Sequence, residues 1–543
     1  MSEVTGWQPL WVGLIFLGIA HVVYSCFAFP NPDEAYYWLW GQHLDWSYYD
    51  HPPFHAWVQG GFAALLGTSR GVVRLPTLLS NGLLLWSYYQ IARDLYGKQA
   101  GLAWGIIVAS LLASPLYFVF LTLAWPDQWL LAFSLLSAHW GIRFFDQYRQ
   151  GEGNSTLLYG AGLALGLACL CKYTAVFVGL AAIATLLSDR QLRPLLREGR
   201  LYRAGAIVAL ATLPILIWNY QNDWLSFQYY LTRSVDSGGT AVKPLEVLSF
   251  WGLSILIVSP FLSWPFLQLL RSQPLRQSQS SLGPFTIGLF ALSTGVLSGV
   301  GLFSTALYYW NILAYVLLVV WLPTYFLGIG SGRSKATPWR HLGLWRWAQG
   351  FGGLVATLLV VNYCVLPISA LFGPDGDPDG RMLFGWDTVG PTVQAVQQEQ
   401  TVAEGKPPLL LTTDYRSASA LAFALNDPGV LAVSERIDQF DIWAKRRPLA
   451  GRSALILSDD WHPLTAALNQ QFEQVRPVAT VPVQRWGVPI KTYYLHFGEG
   501  FEPLPRSPFT LRPRGMADAN ALPLTPLNAC LMLALKPALS PLV

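Results

Sequence analysis

"WVGLIFLGIAHVVYSCFAFPNPDEAYYWLWGQHLDWSYYDHPPF", residues 11–54, sets an apolar run directly before an acidic, aromatic segment. A spanning helix needs ~20 consecutive, mostly apolar residues, and residues 9–29 supply them. The segment that follows is no short connecting turn. Residues 31–54 carry Asp33, Glu34, Asp45, Asp50 and His51 among Trp and Tyr. Ionisable groups at a membrane surface are candidates for function, because an isolated charge is costly there unless something uses or pairs it.

The rest of the chain supports the membrane reading. Of 543 residues, 53% are apolar and 12% charged, with a mean hydropathy of +0.36. A soluble domain carries about 25% charged residues. Further apolar runs at 101–120 and 353–372 make this a multi-span protein. A net charge of +4 is too small to suggest a nucleic-acid partner. Cys26, Cys169, Cys171 and Cys364 lie in apolar runs, Cys530 lies near the end, and no disulfide framework is implied. No Lys or Arg precedes the first run and no small-residue cleavage site follows it, so an uncleaved first span is expected.

Positive charge is distributed by loop. Arg93 and Lys98, Arg143 and Arg149, Arg190 to Arg203, Arg271 and Arg276, and Arg333 to Arg346 mark cytoplasmic loops by the positive-inside rule. The acidic first loop, the turn "LAWPDQ" and the loop "NYQNDWLSFQYYLTRSVDSGGT" then lie outside. Residues 157–187 sit between two basic loops and must cross twice, which puts Lys172 at the tip of a hairpin near the outer face. About eleven spans result: 9–29, 72–92, 99–121, 128–145, 157–171, 174–187, 205–218, 246–270, 284–303, 310–328 and 348–368. Gly101 with Gly105, and Gly162 with Gly166, have the spacing of close helix packing. No internal repeat is visible.

Composition changes after "FGPDGDPDGR". "PLLLTT" (408–413), "SALILS" (453–458), "VATVPV" and "IKTYYLHF" read as strands. "DYRSASALAFAL" reads as a helix capped by Asp414. The expected organisation is a transmembrane domain over 1–370 with a first outer loop at 31–71, an outer α/β domain over 371–500, and a Pro-rich tail at 501–543.

Each outer acid has a structural alternative. Asp33 could cap the helix that begins beside it, and Asp127, after Pro126, could cap the fourth span. Tyr36, Tyr37, Trp38, Trp40, Trp46, Tyr48 and Tyr49 suit a helix lying in the membrane interface. The chemistry that the cluster suits is displacement at a carbon bearing a good leaving group. A carboxylate would take the proton of an attacking hydroxyl, while a cation or a metal would stabilise a departing phosphate.

"DEAYYWLWGQHLDWSYYDHPPFHAW" resembles the first outer loop of the dolichyl-phosphate-mannose-protein mannosyltransferase-like glycosyltransferases, glycosyltransferase family 39 and its relatives, among them the lipid A aminoarabinose transferases. The likeness continues through "VRLPTLL", "ARDLYG", "WPDQWLL", "GLALGLACLCKYTAVF", "PILIWNYQNDWLSF" and "YYWNILAY". It implies a GT-C fold and inverting transfer from a polyprenyl-phosphate sugar to a lipid, glycan or protein hydroxyl, outside the plasma membrane and with no nucleotide cofactor. By position it implies Asp33, with Glu34 and Asp127, as catalytic acids. It implies Tyr48, His51 and Lys172 as contacts of the donor phosphate, and Asp50 at a divalent metal ion. Many relatives have His-Trp where this chain has Tyr309-Trp310, a departure that weakens the metal reading. A transporter or flippase of a lipid-linked sugar is the alternative, opposed by the missing repeats. A structural assembly subunit is a third reading.

Overall fold

The computed structural model describes residues 8–234, 242–329, 341–373, 376–434, 437–444 and 449–503. The tail from 504 onward and the basic residues Arg333, Lys335 and Arg340 lie outside them. The chain is a helical membrane protein with a small C-terminal sheet region. It divides into two compact units. Unit one is Met1–Val22, Asp45–His55 and Arg74–Ala356; unit two is Val23–Leu44, Ala56–Val73 and Thr357–Val543.

The first twelve α-helices are α1 (Gln8–Phe27), α2 (Pro32–Gln42), α3 (Phe54–Leu66), α4 (Arg70–Tyr96), α5 (Ala100–Ala113), α6 (Pro115–Thr122), α7 (Pro126–Arg149), α8 (Ser155–Cys169), α9 (Val176–Ser188), α10 (Gly199–Ala211), α11 (Leu213–Gln221) and α12 (Leu225–Ser234). Among the described residues three helices are long and apolar enough to cross a membrane, or eight if each bent pair forms one span.

In unit one, proline sets where helices restart. Pro115 opens α6 and Pro126 opens α7, the positions where a missing N–H costs nothing. Gly97, at φ +54°, turns the chain between α4 and α5. The two helices then run back along each other, with the Trp104 indole N–H donating to the Leu85 carbonyl at 2.9 Å and its ring edge-on to Tyr89. Asn154 caps α8 by accepting from the Thr156 N–H. α8 and α9 form the expected hairpin, folding at Leu170–Lys172 so that a Cβ at Gly179 would meet Leu165 at 3.3 Å. Gly162 and Gly166 do serve close packing. A Cβ at Gly162 would lie 2.9 Å from the Ala204 carbonyl oxygen of α10, and one at Gly166 would lie 2.5 Å from the Ala211 Cβ. Gly101 does not, since a Cβ there would meet nothing within 4 Å.

Unit two contains a five-stranded sheet: β1 (Leu409–Thr412), β2 (Leu431–Ala432), β3 (Arg452–Asp459), β4 (Gln474–Arg485) and β5 (Val488–Phe501), in the order β2-β1-β3-β5-β4. β1 runs parallel to β2 and β3, while β5 is antiparallel to β3 and β4. All four expected strand segments fall in this sheet. Pro477 and Pro482 confine β4 to an edge, where a missing donor is tolerated. Helix Tyr415–Leu425 follows β1, with the Asp414 carboxylate accepting from the Arg416 N–H as its cap.

The interfacial reading of the loop aromatics is corrected here. Trp38 and Trp40 are 1% exposed, Tyr36 is 3% and only Trp46 is open. α2 is buried within unit two. Tyr36 stacks on Phe440 at 5.8 Å and tilts against Tyr415 at 5.1 Å, and Trp38 meets Phe423 edge-on. Burying 150–250 Å² of ring per residue in protein outweighs a half-wet site at the interface.

Candidate functional site

Neither Asp33 nor Asp127 caps its helix, so the structural alternative for each is not realised. α2 is capped by Asn31, whose side-chain oxygen accepts from the N–H groups of Asp33 (3.0 Å) and Glu34 (3.2 Å). Glu34 returns the bond by accepting from the Asn31 N–H at 2.9 Å, completing a capping box. Glu34 is fully buried in that task, whereas Asp33 is half-buried. At α7 the cap position is Trp125, and the carboxylate of Asp127 points elsewhere.

Its target is Lys172. The ammonium at the hairpin tip lies 2.8 and 2.9 Å from the two Asp127 carboxylate oxygens, and both residues are nearly buried. Lys172 also lies 5.7 Å above the centre of the Tyr309 ring. The residue that departs from the His-Trp pattern thus touches the same cation. A buried ion pair is only about as stable as an apolar pair of the same volume. Stability alone therefore gives little reason for charges here.

Segments far apart in sequence converge on this tip within unit one. The Phe54 N–H donates to the Leu170 carbonyl at 3.0 Å, and the Phe54 ring packs on Trp129 and Phe133. His55 Nε2 lies 2.8 Å from the Ala124 carbonyl, and burial pushes the imidazole down to about 4, which keeps it neutral. Tyr48 is buried, its hydroxyl accepting from the Asp45 N–H at 3.1 Å; burial moves that hydroxyl above its ordinary range.

The 45–55 segment is pinned from α12. The Ser226 hydroxyl bridges the carbonyls of Tyr48 (2.8 Å) and Tyr49 (3.0 Å). The Tyr230 hydroxyl donates to the Asp50 carbonyl and lies 3.2 Å from His51 Nδ1, while its ring meets Tyr173 beside the hairpin tip. Asp223 and Trp224, just before α12, both hold left-handed φ angles of +53° and +60°. Such conformations cost ~1–3 kcal/mol each and persist where surrounding bonds impose them; here the Trp224 N–H reaches the Asn219 carbonyl at 2.7 Å.

Of the expected site residues, Tyr48, Asp50, His51, Asp127 and Lys172 fall in unit one, and Asp33 and Glu34 fall in unit two. Among the described residues no three His, Cys, Asp or Glu side chains gather as a metal cage, so Asp50 brings no ready-made ligand set. Ser226, Tyr230, His55 and Tyr309 hold the site without having been singled out as site residues. Ser226 and Tyr230 lie on α12, in a stretch whose hydroxyl groups have no charge or spacing signal in the sequence.

Unit two has a second polar cluster, at the carboxyl ends of β1 and β3. Arg416 bonds Asp414 and Asp379, each at 3.0 Å, and donates to His462 Nε2 at 2.8 Å. His462 Nδ1 lies 3.1 Å from Asp459, which pairs with Lys491 at 2.7 Å. Burial alone would raise the Asp459 carboxyl, but the Lys491 ammonium and His462 hold it well below the ordinary carboxylate range.

Comparison with known proteins agrees with the outer-loop resemblance. Residues 50–218 match the family model described as dolichyl-phosphate-mannose-protein mannosyltransferase. The chain is 31% identical over 192 residues to lipid A galacturonosyltransferase RgtD of Rhizobium johnstonii, covering 35% of this chain and 38% of the relative. It is 28% identical over 229 residues to lipopolysaccharide core galacturonosyltransferase RgtB of the same organism, covering 42% and 45%. The chain thus spans less than half the length of the curated relatives it matches. The crystal structure of ArnT from Cupriavidus metallidurans bound to undecaprenyl phosphate has a similar fold, with a TM-score of 0.55 at 16% identity over 89% of this chain and 98% of that one. By sequence over residues 50–218 this protein is similar to that mannosyltransferase family, and over most of its length it shares the fold of ArnT.

Proposed function

We propose that the protein transfers a sugar from a polyprenyl-phosphate donor to an acceptor on the outer face of the plasma membrane. The observation that carries this reading is the buried Lys172–Asp127 pair, set where the outer segments of unit one meet. In the reaction an acceptor hydroxyl attacks the anomeric carbon opposite the phosphate. The bond from that carbon to the phosphate oxygen breaks with its electron pair, and the configuration inverts. The leaving polyprenyl phosphate gains a negative charge, which the Lys172 ammonium offsets, while Asp127 holds Lys172 in place. A charge fixed in a site with little water offsets far more than the same charge in bulk solvent. The hydroxyl proton goes to a carboxylate, for which Asp33 is the choice; that role rests on the loop resemblance alone. Tyr48 and His51 complete the phosphate contacts. No step is routed through a metal, since Asp50 would hold an ion only together with water and the donor phosphate.

The names of the relatives make a galacturonosyl polyprenyl phosphate the first donor to try. The full chain in detergent is incubated with labelled polyprenyl-phosphate sugars and membrane extract. Label should move into a lipid, glycan or protein fraction, and Lys172→Ala should weaken the transfer at least tenfold. If no polyprenyl-phosphate sugar is consumed, the proposal fails.

A further inference from the structure

The glycine spacing that does not serve helix packing points to a different site. α4 and α5 leave an apolar groove of about 760 Å³, lined by Gly82, Trp86 and Tyr89 on one helix and Gly101, Trp104 and Val108 on the other. That volume is within the range of ligand pockets. Three glycines, Gly82, Gly101 and Gly105, leave the groove open, and a Cβ at Gly82 or at Gly101 would have nothing within 4 Å. Its aromatic wall is open, with Trp86 45% and Tyr89 41% exposed.

One end of the groove is charged. Arg93 follows Tyr89 by one helical turn on the same face of α4, and Lys98 lies in the connecting turn; both are exposed. The nearby carboxylate of Asp94 faces His139 (3.0 Å) and Arg143 (3.8 Å) and also interacts with Arg93, so its single negative charge stands against Arg93, Lys98 and Arg143 and this end has a surplus of positive charge. From Gly82 to Arg93 is about 16 Å of helix at ~1.5 Å per residue. One leaflet is about half of a ~30 Å hydrocarbon core. The groove is therefore about one acyl chain deep, with cations where a headgroup would sit.

We propose that this groove binds the acyl chain of an anionic glycerophospholipid, with the headgroup at Arg93 and Lys98. By the loop-charge pattern that end is cytoplasmic, so the lipid comes from the leaflet opposite the outer loops. The site is separate from the Lys172–Asp127 region and does not depend on the proposed transfer reaction.

The test uses the full chain in nanodiscs with phosphatidylglycerol, phosphatidylcholine or undecaprenyl phosphate, followed by native mass spectrometry and photo-crosslinking of diazirine-labelled lipids. Labelled phosphatidylglycerol should crosslink to peptides bearing Trp86, Tyr89 and Trp104, in preference to phosphatidylcholine. Gly82→Leu with Gly101→Leu should fill the groove, leave the melting temperature unchanged or raised, and remove the crosslink. Arg93→Gln with Lys98→Gln should keep the crosslink but lower the anionic preference about fivefold for each charge lost. Equal labelling in the filled variant, or equal labelling by both phospholipids, would mean ordinary boundary lipid and would overturn the proposal. Preferred labelling by undecaprenyl phosphate would overturn it too.

Discussion

Lys172 Nζ lies within 2.9 Å of both carboxylate oxygens of Asp127, although the two residues are 45 positions apart in the chain. The pair joins the tip of the α8–α9 hairpin to the start of α7, and Tyr309 closes over the ammonium. It is well placed to govern both the stability and the chemistry of unit one, and substitution can tell the two apart.

Replacing one partner leaves the other charged and buried, at a cost of about 3–5 kcal/mol. Lys172→Met and Asp127→Leu should each lower the melting temperature, while the double variant should regain most of the loss. Turnover should stay lost in the double variant, because the phosphate contact is gone. A double variant with normal turnover would reduce the pair to a structural tie. In Lys172→Ala, donor titration should show at least a tenfold loss, as expected for a charge-assisted contact of roughly 1.5–3 kcal/mol.

Asp33→Asn should cut transfer by ~10²–10⁴ with the melting temperature preserved, since Asn31 and Glu34 make the cap. Asn31→Ala should do the reverse, costing about 0.5–2 kcal/mol of stability. Near-normal turnover in Asp33→Asn would remove Asp33 as the base.

Acid should loosen the sheet of unit two through Asp459. Its carboxyl is held below the usual range in the folded state, so its contribution is complete above about pH 4 and fades as the pH falls further. Asp377 works the other way: burial raises it to about 6, so it favours the fold at low pH and loses that contribution as the pH rises from about 4 to 6. Asp459→Asn should therefore be destabilised at pH 7 and show a flatter acid limb than the parent, followed by tryptophan fluorescence. Parallel acid limbs would exclude Asp459 as the source.

Reporters fused after Asn31, Asp127, Lys172 or Gly373 should read as external, and those after Gly97, Gly153, Gly199 or Lys335 as internal. An internal signal at Lys172 would put the ion pair on the wrong side for a donor presented outside.

Much was legible in the chain because it depends on local order. The hairpin around Lys172, the strands of the C-terminal region and the Asp414 cap follow from loop charge, apolar run length, alternating strand pattern and N-terminal capping residues. The sequence left Asp33 open between cap and catalyst, and only geometry shows that the Asn31 side chain is the one that reaches the first N–H groups of α2. The burial of Tyr36, Trp38 and Trp40 was hidden for another reason. An aromatic, amphipathic segment looks alike whether it faces lipid or protein, and its partners Tyr415, Phe423 and Phe440 lie almost 400 residues away.

The sequence by itself determined that this is a membrane chain with an acidic, aromatic segment after its first apolar run and a C-terminal α/β region, because hydropathy, charge content and strand pattern are properties of short windows. Tertiary structure decided what the charges do. Coulomb attraction acts through space and is strongest where water is excluded. Only the folding of α7 against the α8–α9 hairpin shows that Lys172 is neutralised by Asp127, and only the neighbours of Gly101 and Gly166 show that one glycine opens a groove while the other closes a contact.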